Sequence, residues 1–368
     1  MAIRFVMVGG FLGAGKTTTL GRLARYYQTQ GKRVGIVTND QAEGLVDTET
    51  LRRQGLTVEE VAGACFCCRF PELTDRIQSL TEQNRPEVIL AEPVGSCTDL
   101  VATVIQPLRD LYRQQVEVAP YVVLFKPSHG QRILSGSRGG GFSPKAAYIF
   151  RKQLEEADVI ALNRIDELTS AQRQELMHLV RQHYPHTPLL GLSARTGEGF
   201  EALVELLEQQ GRFGQNILEI DYDLYAEGEA ELGWLNASSR WEFAQPQSLD
   251  EVVLEVVAGM VQACRQAGVE IAHLKAIAWE EGGTYAVANA IATAEQPQLS
   301  LTSGATVHQA ELVLNARVAA EPAWLTQQWH QLAQQHARRW QAQVSELQQR
   351  SLRPGRPVPT YRYAQAPT

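Results

Sequence analysis

Residues 3–19 read IRFVMVGGFLGAGKTTT, an apolar run of strand composition followed by a glycine-rich turn and the opening of a helix. From Gly10 to Thr17 the turn fits G-x-x-x-x-G-K-[ST], in the strand-turn-helix setting that a phosphate-binding loop needs. Gly10, Gly13 and Gly15 let the backbone wrap close to phosphate oxygens, and the helix N-terminus aims N–H groups at them. Lys16 is placed to reach the β- and γ-phosphates and Thr17 to ligate Mg²⁺; Ala14 and Thr18 complete the nucleotide-contacting set.

Outward from this turn, the apolar runs IRFVMV, RVGIVT, EVILAE, PYVVLF, DVIALN and TPLLGLSA alternate with helical patterns as far as residue 211. That alternation predicts an α/β P-loop NTPase fold, a mainly parallel sheet covered by helices on both faces. The stretch 126–145, KPSHGQRILSGSRGGGFSPK, breaks the pattern with Gly, Ser and Arg and reads as a long loop. Residues 212–350 read as a smaller C-terminal α+β domain: a strand, a helix with Leu249, Val252, Val253, Val256, Val257, Met260 and Cys264 on one face, three strands and a terminal helix. That last helix starts near Pro322 and carries Leu325, Trp329, Leu332, Trp340, Val344 and Leu347. EEGG, residues 280–283, reads as a hairpin turn, and 351–368 as a Pro-rich tail with too little apolar content to fold alone.

With 368 residues, 44% hydrophobic and 20% charged, the chain is long and apolar enough for two cored domains. A net charge of −7 argues against binding nucleic acid or anionic membrane through the overall field. The opening residues lack a charged n-region and a long apolar core, and no run approaches a membrane span, so the expectation is a cytoplasmic enzyme. Five cysteines, three of them within GACFCCRF at Cys65, Cys67 and Cys68, are not a secreted disulfide framework. Three thiolates in so short a space make a soft anionic cluster suited to Zn²⁺, and also to Co²⁺. Structural burial and thiol redox chemistry are the competing readings. Because Cys67 and Cys68 are adjacent, regular structure would not point both at one ion. Cys97 is expected near the nucleotide without being a ligand, and Cys264 in a core.

Three further motifs follow in chain order. EVILAEPVG ends an apolar strand on Glu92, the expected Mg²⁺-side carboxylate, with Gly95 where a backbone N–H senses the γ-phosphate. ALNRID sets Asn163 and Asp166 at the guanine-reading spacing N-K-x-D, with Arg164 in place of lysine. Asp166 can accept from the guanine N1–H and exocyclic amine, which adenine does not offer. SARTG, with Ser193 and Ala194, is similar to the loop whose backbone recognises the guanine oxygen.

Taken together, the P-loop, GACFCC, EPVG and NRID resemble the CobW-like metallochaperone GTPases, relatives of the nickel-insertion GTPases of hydrogenase and urease. The resemblance covers about the first 211 residues. It implies that Cys65, Cys67 and Cys68 form a C-x-C-C site for zinc or a similar divalent ion, coupled to GTP·Mg²⁺ and serving delivery to a client metalloprotein or cofactor enzyme. It also implies slow GTP hydrolysis without a partner, and pairing across nucleotide faces into a nucleotide-dependent homodimer. The family's acidic N-E-x-G stretch is replaced here by TNDQAEGLVDT, where Asp40 is the catalytic candidate and Glu43 and Asp47 the alternatives. Lys16, Thr17, Glu92 and Asp40 are thus the expected catalytic set. His-rich loading segments are absent, and His129 and His308 count as ligands only if they converge on the cysteines. A cofactor-insertion gate and a nucleotide-dependent scaffold are the rival functions.

Overall fold

A computed structural model describes residues 2–40, 46–136, 143–281 and 283–366. The chain forms two compact units, one of residues 1–41, 56–228 and 356–368, the other of residues 42–55 and 229–355.

The first unit is built on eight strands: β1 (Ile3–Gly10), β2 (Val34–Asp40), β3 (Val58–Ala62), β4 (Val88–Glu92), β5 (Val116–Val118), β6 (Val122–Phe125), β7 (Val159–Leu162) and β8 (Leu189–Gly191). Their order is β3-β2-β4-β1-β6-β7-β8, every pair parallel. β5 and β6 share one edge of β1, β5 along Ile3–Phe5 and β6 along Val8–Gly10. β1 is therefore central, and its side chains from Arg4 to Gly10 are buried, as a strand covered on both faces requires. β3 and β5 are the strands that hydrophobic runs do not announce. VEEVA of β3 is an edge strand buried only at Val58 and Val61, so its outward positions accept glutamates.

Two corrections apply to the first unit. Pro127–Leu134, expected as loop, is a helix with Pro127 in its first turn. Its Gly130 lies so close to β6 that a Cβ there would stand 2.5 Å from the Phe125 ring, so this glycine serves packing rather than looseness. Residues 137–142 lie outside the described residues, and a second helix, Pro144–Glu156, starts with Ser143 as its cap.

The second unit holds an antiparallel sheet of β9 (Gly233–Ser248), β10 (Ile271–Trp279), β11 (Tyr285–Ala290), β12 (Gln298–Leu301), β13 (Thr306–Val318) and β14 (Ala342–Leu352), in the order β12-β11-β10-β13-β9-β14. Strand alternation sends Leu274, Ala276, Ala278, Leu312 and Leu314 into a core with the helix Leu249–Ala267, where Cys264 is fully buried. Ile277 and Val313 face the opposite side, where Val287 and Val46 join them. The terminal helix ends at Arg339, not beyond Leu347. Gln341 adopts φ +50°, and the chain turns into β14, which pairs along β9 from Phe243 to Trp234. The helical spacing of Trp340, Val344 and Leu347 is misleading because the 16-residue β9 offers a long edge to pair, and in β14 Leu347 points outward.

Candidate functional site

β1 delivers the glycine-rich turn to the C-terminal edge of the parallel sheet, where α/β folds bind their ligands. Gly10 has φ +132°, and a Cβ there would meet the Leu124 carbonyl oxygen at 2.2 Å; Gly15 has φ +93° and would strike the Asn163 amide. The helix Lys16–Thr29 follows with no side-chain cap, which leaves its first N–H groups directed into the turn. Thr17 Oγ1 donates to Glu92 Oε1 at 3.1 Å, and the Lys16 ammonium lies 3.9 Å from the same oxygen. Glu92 ends β4 beside β1, so the pairing of these strands brings Lys16, Thr17 and Glu92 together. Gly95 packs against this group: a Cβ there would stand 3.0 Å from Lys16 Nζ and 2.9 Å from Leu12.

Asn163, at the end of β7, is buried and its amide is used within the protein. Nδ2 donates to the Ala14 carbonyl at 2.7 Å, while Oδ1 accepts from the N–H groups of Arg164 at 2.8 Å and Ala194 at 2.9 Å. It ties the phosphate turn to both base-side loops. Arg164, at φ +63°, pairs with Glu167 at 3.0 Å. Asp166 accepts from Arg195. Burial disfavours its charge, but hydrogen bonds from Ser193 and Arg195 outweigh that and hold the carboxyl below its ordinary range. Arg22, which sequence reading did not single out, donates to the carbonyls of Ala194 and Arg195, both at 2.8 Å. Its signal lies only in the fold, since 172 residues separate Arg22 and Ala194.

The cysteines occupy a tight turn between β3 and the helix Phe70–Asn84, closed by hydrogen bonds from Cys68 and Arg69 N–H groups to the Cys65 carbonyl, both at 3.0 Å. This irregular turn is why the adjacent cysteines converge. Their sulfurs are 2.9 Å (Cys65–Cys67), 3.2 Å (Cys65–Cys68) and 3.8 Å (Cys67–Cys68) apart. Among the described residues they form the one cluster of three or more Cys, His, Asp or Glu with the spacing of a metal site. Cys67 and then Cys68 and Cys97 hydrogen-bond Cys65 and hold it well below the ordinary thiol value, whereas Cys67 is pushed up, first by Cys65. Cys68 is pushed up to about 11, again first by Cys65. Cys97 lies two residues after Gly95, which packs against Lys16 Nζ.

Asn39, missed beside its acidic neighbour, clamps this turn. Nδ2 donates to the carbonyls of Val61 at 2.9 Å and Ala64 at 2.8 Å, and Oδ1 accepts from Phe66 N–H at 2.8 Å. Asp40, the last residue of β2, is buried and pairs in register with Ala62, three residues before Cys65. Glu43 lies outside the described residues, and Asp47 pairs with Lys275 at 2.7 Å in the second unit. His129 is buried edge-on to Phe11 and Phe150 in the apolar interior, and His308 lies on β13, so neither joins the cysteines' metal-site cluster.

The C-terminal tail lies across the same turn. Val358 N–H donates to Cys68 Sγ at 3.3 Å, Thr360 N–H to the Cys67 carbonyl at 2.8 Å, and Arg362 to Asp99 at 2.7 Å. The tail thus lacks a core of its own yet is held in place by the first unit. Behind it, Glu156 is fully buried and accepts from Thr98 at 3.1 Å and Val101 N–H at 3.0 Å.

Burial, reinforced by the Asp99 charge, raises Glu156 from an ordinary 4.5 to about 8. The folded chain then keeps a proton that the unfolded chain releases, so stability falls as pH rises from about 4.5 to about 8. Glu156→Gln keeps the shape without the charge, its amide oxygen accepting from Val101 N–H and its amide nitrogen donating to the Thr98 hydroxyl. Its melting temperature relative to wild type is expected to climb steadily from pH 5 to pH 8; parallel profiles would refute a protonated Glu156.

The fold, the glycine-rich turn and the Lys16–Thr17–Glu92 cluster define a P-loop protein of the parallel α/β class. More narrowly, the chain belongs to the family described as CobW/HypB/UreG, nucleotide-binding domain, which matches residues 4–190. It is similar to the zinc chaperone YeiR of Escherichia coli strain K12, 27% identical over 184 residues, 48% of this chain and 51% of that protein. It is also similar to urease accessory protein UreG 2 of a Bradyrhizobium species, 29% identical over 221 residues, 56% of this chain and 91% of that one. The match thus spans about half the length of YeiR and most of UreG 2. Among solved structures, the hydrogenase maturation factor HypB of Archaeoglobus fulgidus is similar at a TM-score of 0.40 and 18% identity, covering 56% of this chain and 88% of HypB. No helix among the described residues is long and apolar enough to cross a membrane.

Proposed function

We propose that the chain is a GTP-hydrolysing metallochaperone that couples its nucleotide state to holding and releasing Zn²⁺ or Co²⁺ at Cys65, Cys67 and Cys68, for a client metalloprotein. The observation that carries this reading is the convergence of three sulfurs within 4.8 Å of one another on a turn between the phosphate loop and Glu92. A tetrahedral zinc site with Zn–S bonds of about 2.3 Å has sulfur–sulfur edges of about 3.8 Å. The 3.8 Å edge already fits, and the 2.9 and 3.2 Å edges need to open by less than 1 Å. Three soft ligands leave a coordination position open to exchange, which suits transfer better than a closed site does.

On the nucleotide side, the glycine turn and the first N–H groups of the helix bind the phosphates, and Lys16 leaves Glu92 to reach the terminal one. The Thr17 hydroxyl and Glu92 carboxylate, hard oxygens 3.1 Å apart, fit Mg²⁺, which when bound neutralises charge developing on the phosphates. Asp166 reads the guanine edge once Arg195 swings aside, with Asn163 holding the surrounding loops. Asp40 is the residue we assign to orienting water, and a second copy of the chain across the nucleotide face would complete the site.

Zinc and cobalt titrations against a competing chelator test the coupling, in reduced protein without nucleotide, with GDP·Mg²⁺ and with a non-hydrolysable GTP analogue. Cysteine-dependent affinity is expected to differ between the two nucleotide states by about tenfold, equivalent to ~1.4 kcal/mol. Equal affinity in all three conditions removes the coupling, and unchanged stoichiometry in C65S/C67S/C68S removes the site.

A further inference from the structure

Neither the phosphate site nor the sulfur trio accounts for the tail, and its sequence explains how it lies. In Pro357, Val358, Pro359 and Thr360, residues without and with an N–H alternate, and each proline fixes its own φ, so the stretch has two backbone donors and little freedom. Both donors go to the cysteine turn, Val358 N–H to Cys68 Sγ at 3.3 Å and Thr360 N–H to the Cys67 carbonyl at 2.8 Å. The Thr360 hydroxyl adds a bond to the Cys68 carbonyl at 3.2 Å, and Tyr361 stands edge-on to Phe70, with ring centroids 5.3 Å apart. Burial adds little, since Val358 is 71% exposed and Tyr361 41%. The stretch therefore lies between the turn and solvent, on Cys68, the only member of the trio that is not buried.

The ends are fastened more firmly than the middle. Arg356 pairs with Asp223 at 2.7 Å on one side. On the other, Arg362 pairs with the buried Asp99 at 2.7 Å, Tyr363 N–H donates to the Ala102 carbonyl at 3.0 Å, and the Tyr363 hydroxyl donates to Asp110 at 2.6 Å. Asp99 is a carboxylate taken out of water, so losing its guanidinium costs far more than losing an exposed pair.

We propose that residues 357–361 are a strap over the cysteine centre, closed on Cys68 in this structure and lifted whenever a divalent ion enters or leaves. The proposal rests on reading the trio as a metal site. An ion held by three sulfurs exchanges through its open coordination position. The strap, lying on the least buried sulfur, stands in the way of the ligand that a chelator or client would bring. Its firm anchor also follows the phosphate site in the chain: Asp99 comes four residues after Gly95, which packs against Lys16 Nζ. Gln153 braces the stretch between them, donating to the carbonyls of Gly95 at 3.0 Å and Cys97 at 2.8 Å. A shift of that segment carries the anchor with it, which gives two nucleotide states a different hold on the strap.

Two full-length variants test the strap in reduced protein: Val358→Pro/Thr360→Pro, which removes both N–H donors, and Arg362→Gln, which removes the charge at the anchor. The rates read are loss of bound cobalt to excess chelator and alkylation of Cys68 by iodoacetamide in metal-free protein, located by peptide mass spectrometry. Both are expected to rise at least about tenfold in the double variant and by less in Arg362→Gln, since a covered site reacts only through its open population. Cobalt uptake rises together with cobalt loss, so equilibrium affinity stays within about threefold of wild type, as a gate requires and a ligand does not. Rates within about twofold of wild type in both variants overturn the strap, as does a faster loss of cobalt matched by an equal fall in affinity. Wild-type cobalt binding by C65S/C67S/C68S instead overturns the metal reading of the trio, and the alkylation rates then decide by themselves whether the tail covers Cys68.

Discussion

Replacing Lys16 with alanine is expected to lower GTP turnover by on the order of 10²–10³, the scale for losing one preorganised charge stabiliser, while zinc uptake by the cysteines persists. Lys16 is 8% exposed and follows directly on Gly15, so in the bound state its ammonium meets phosphate with little competing water. In the structure it lies 3.9 Å from Glu92, a pair that is also almost fully buried. Alanine therefore has a second effect: it leaves the Glu92 carboxylate beside Thr17 without its ammonium, which destabilises the folded chain. Lys16→Gln keeps most of the stem and a polar end without the charge, and so separates catalysis from folding. Single-turnover hydrolysis and nucleotide affinity, read beside melting temperatures of both variants, check the expectation. Turnover within threefold of wild type in both variants would falsify the role given to Lys16.

The parts of this molecule legible in sequence are those determined by neighbours in the chain. IRFVMVGG reads as a strand because burial on both faces needs an uninterrupted apolar run, and the turn after it reads as phosphate-binding because only glycine fits Gly10 against Leu124. The regular helix Leu249–Ala267 shows its apolar face at the spacing it uses. What stays hidden depends on partners far along the chain. β14 is a strand only because β9 offers an edge about a hundred residues earlier, and local spacing favours a helix there. Asn39 meets the cysteine turn through the adjacency of strands β2 and β3, which a linear reading does not provide. Asn163 fits a base-reading motif, yet its amide binds Ala14, Arg164 and Ala194, partners that the motif spacing does not show.

Asn39 is the clearest case of a residue whose weight lies in geometry, and Asn39→Ala is expected to weaken zinc binding by roughly two orders of magnitude. Its three hydrogen bonds join β2 to the entry of the cysteine turn, two to carbonyls and one from the Phe66 N–H between Cys65 and Cys67. Alanine leaves two carbonyls and one N–H without partners in a buried place, at roughly 1–3 kcal/mol each. Part of that cost is relieved as the turn loosens and admits water, and the loosened turn must be reordered before an ion can bind. About 2.8 kcal/mol falling on binding corresponds to the hundredfold loss. Asn39→Asp separates shape from hydrogen bonding: it keeps the acceptor, loses both donors and brings a negative charge toward the thiolates. It is expected to bind zinc more weakly than wild type although its side chain is nearly isosteric. Hydrogen exchange supplies the independent reading, since the Phe66 amide should lose protection in Asn39→Ala while the amides of β1 and β4 keep theirs. Zinc affinity within threefold of wild type in both variants would show that the cysteine turn holds its shape without Asn39.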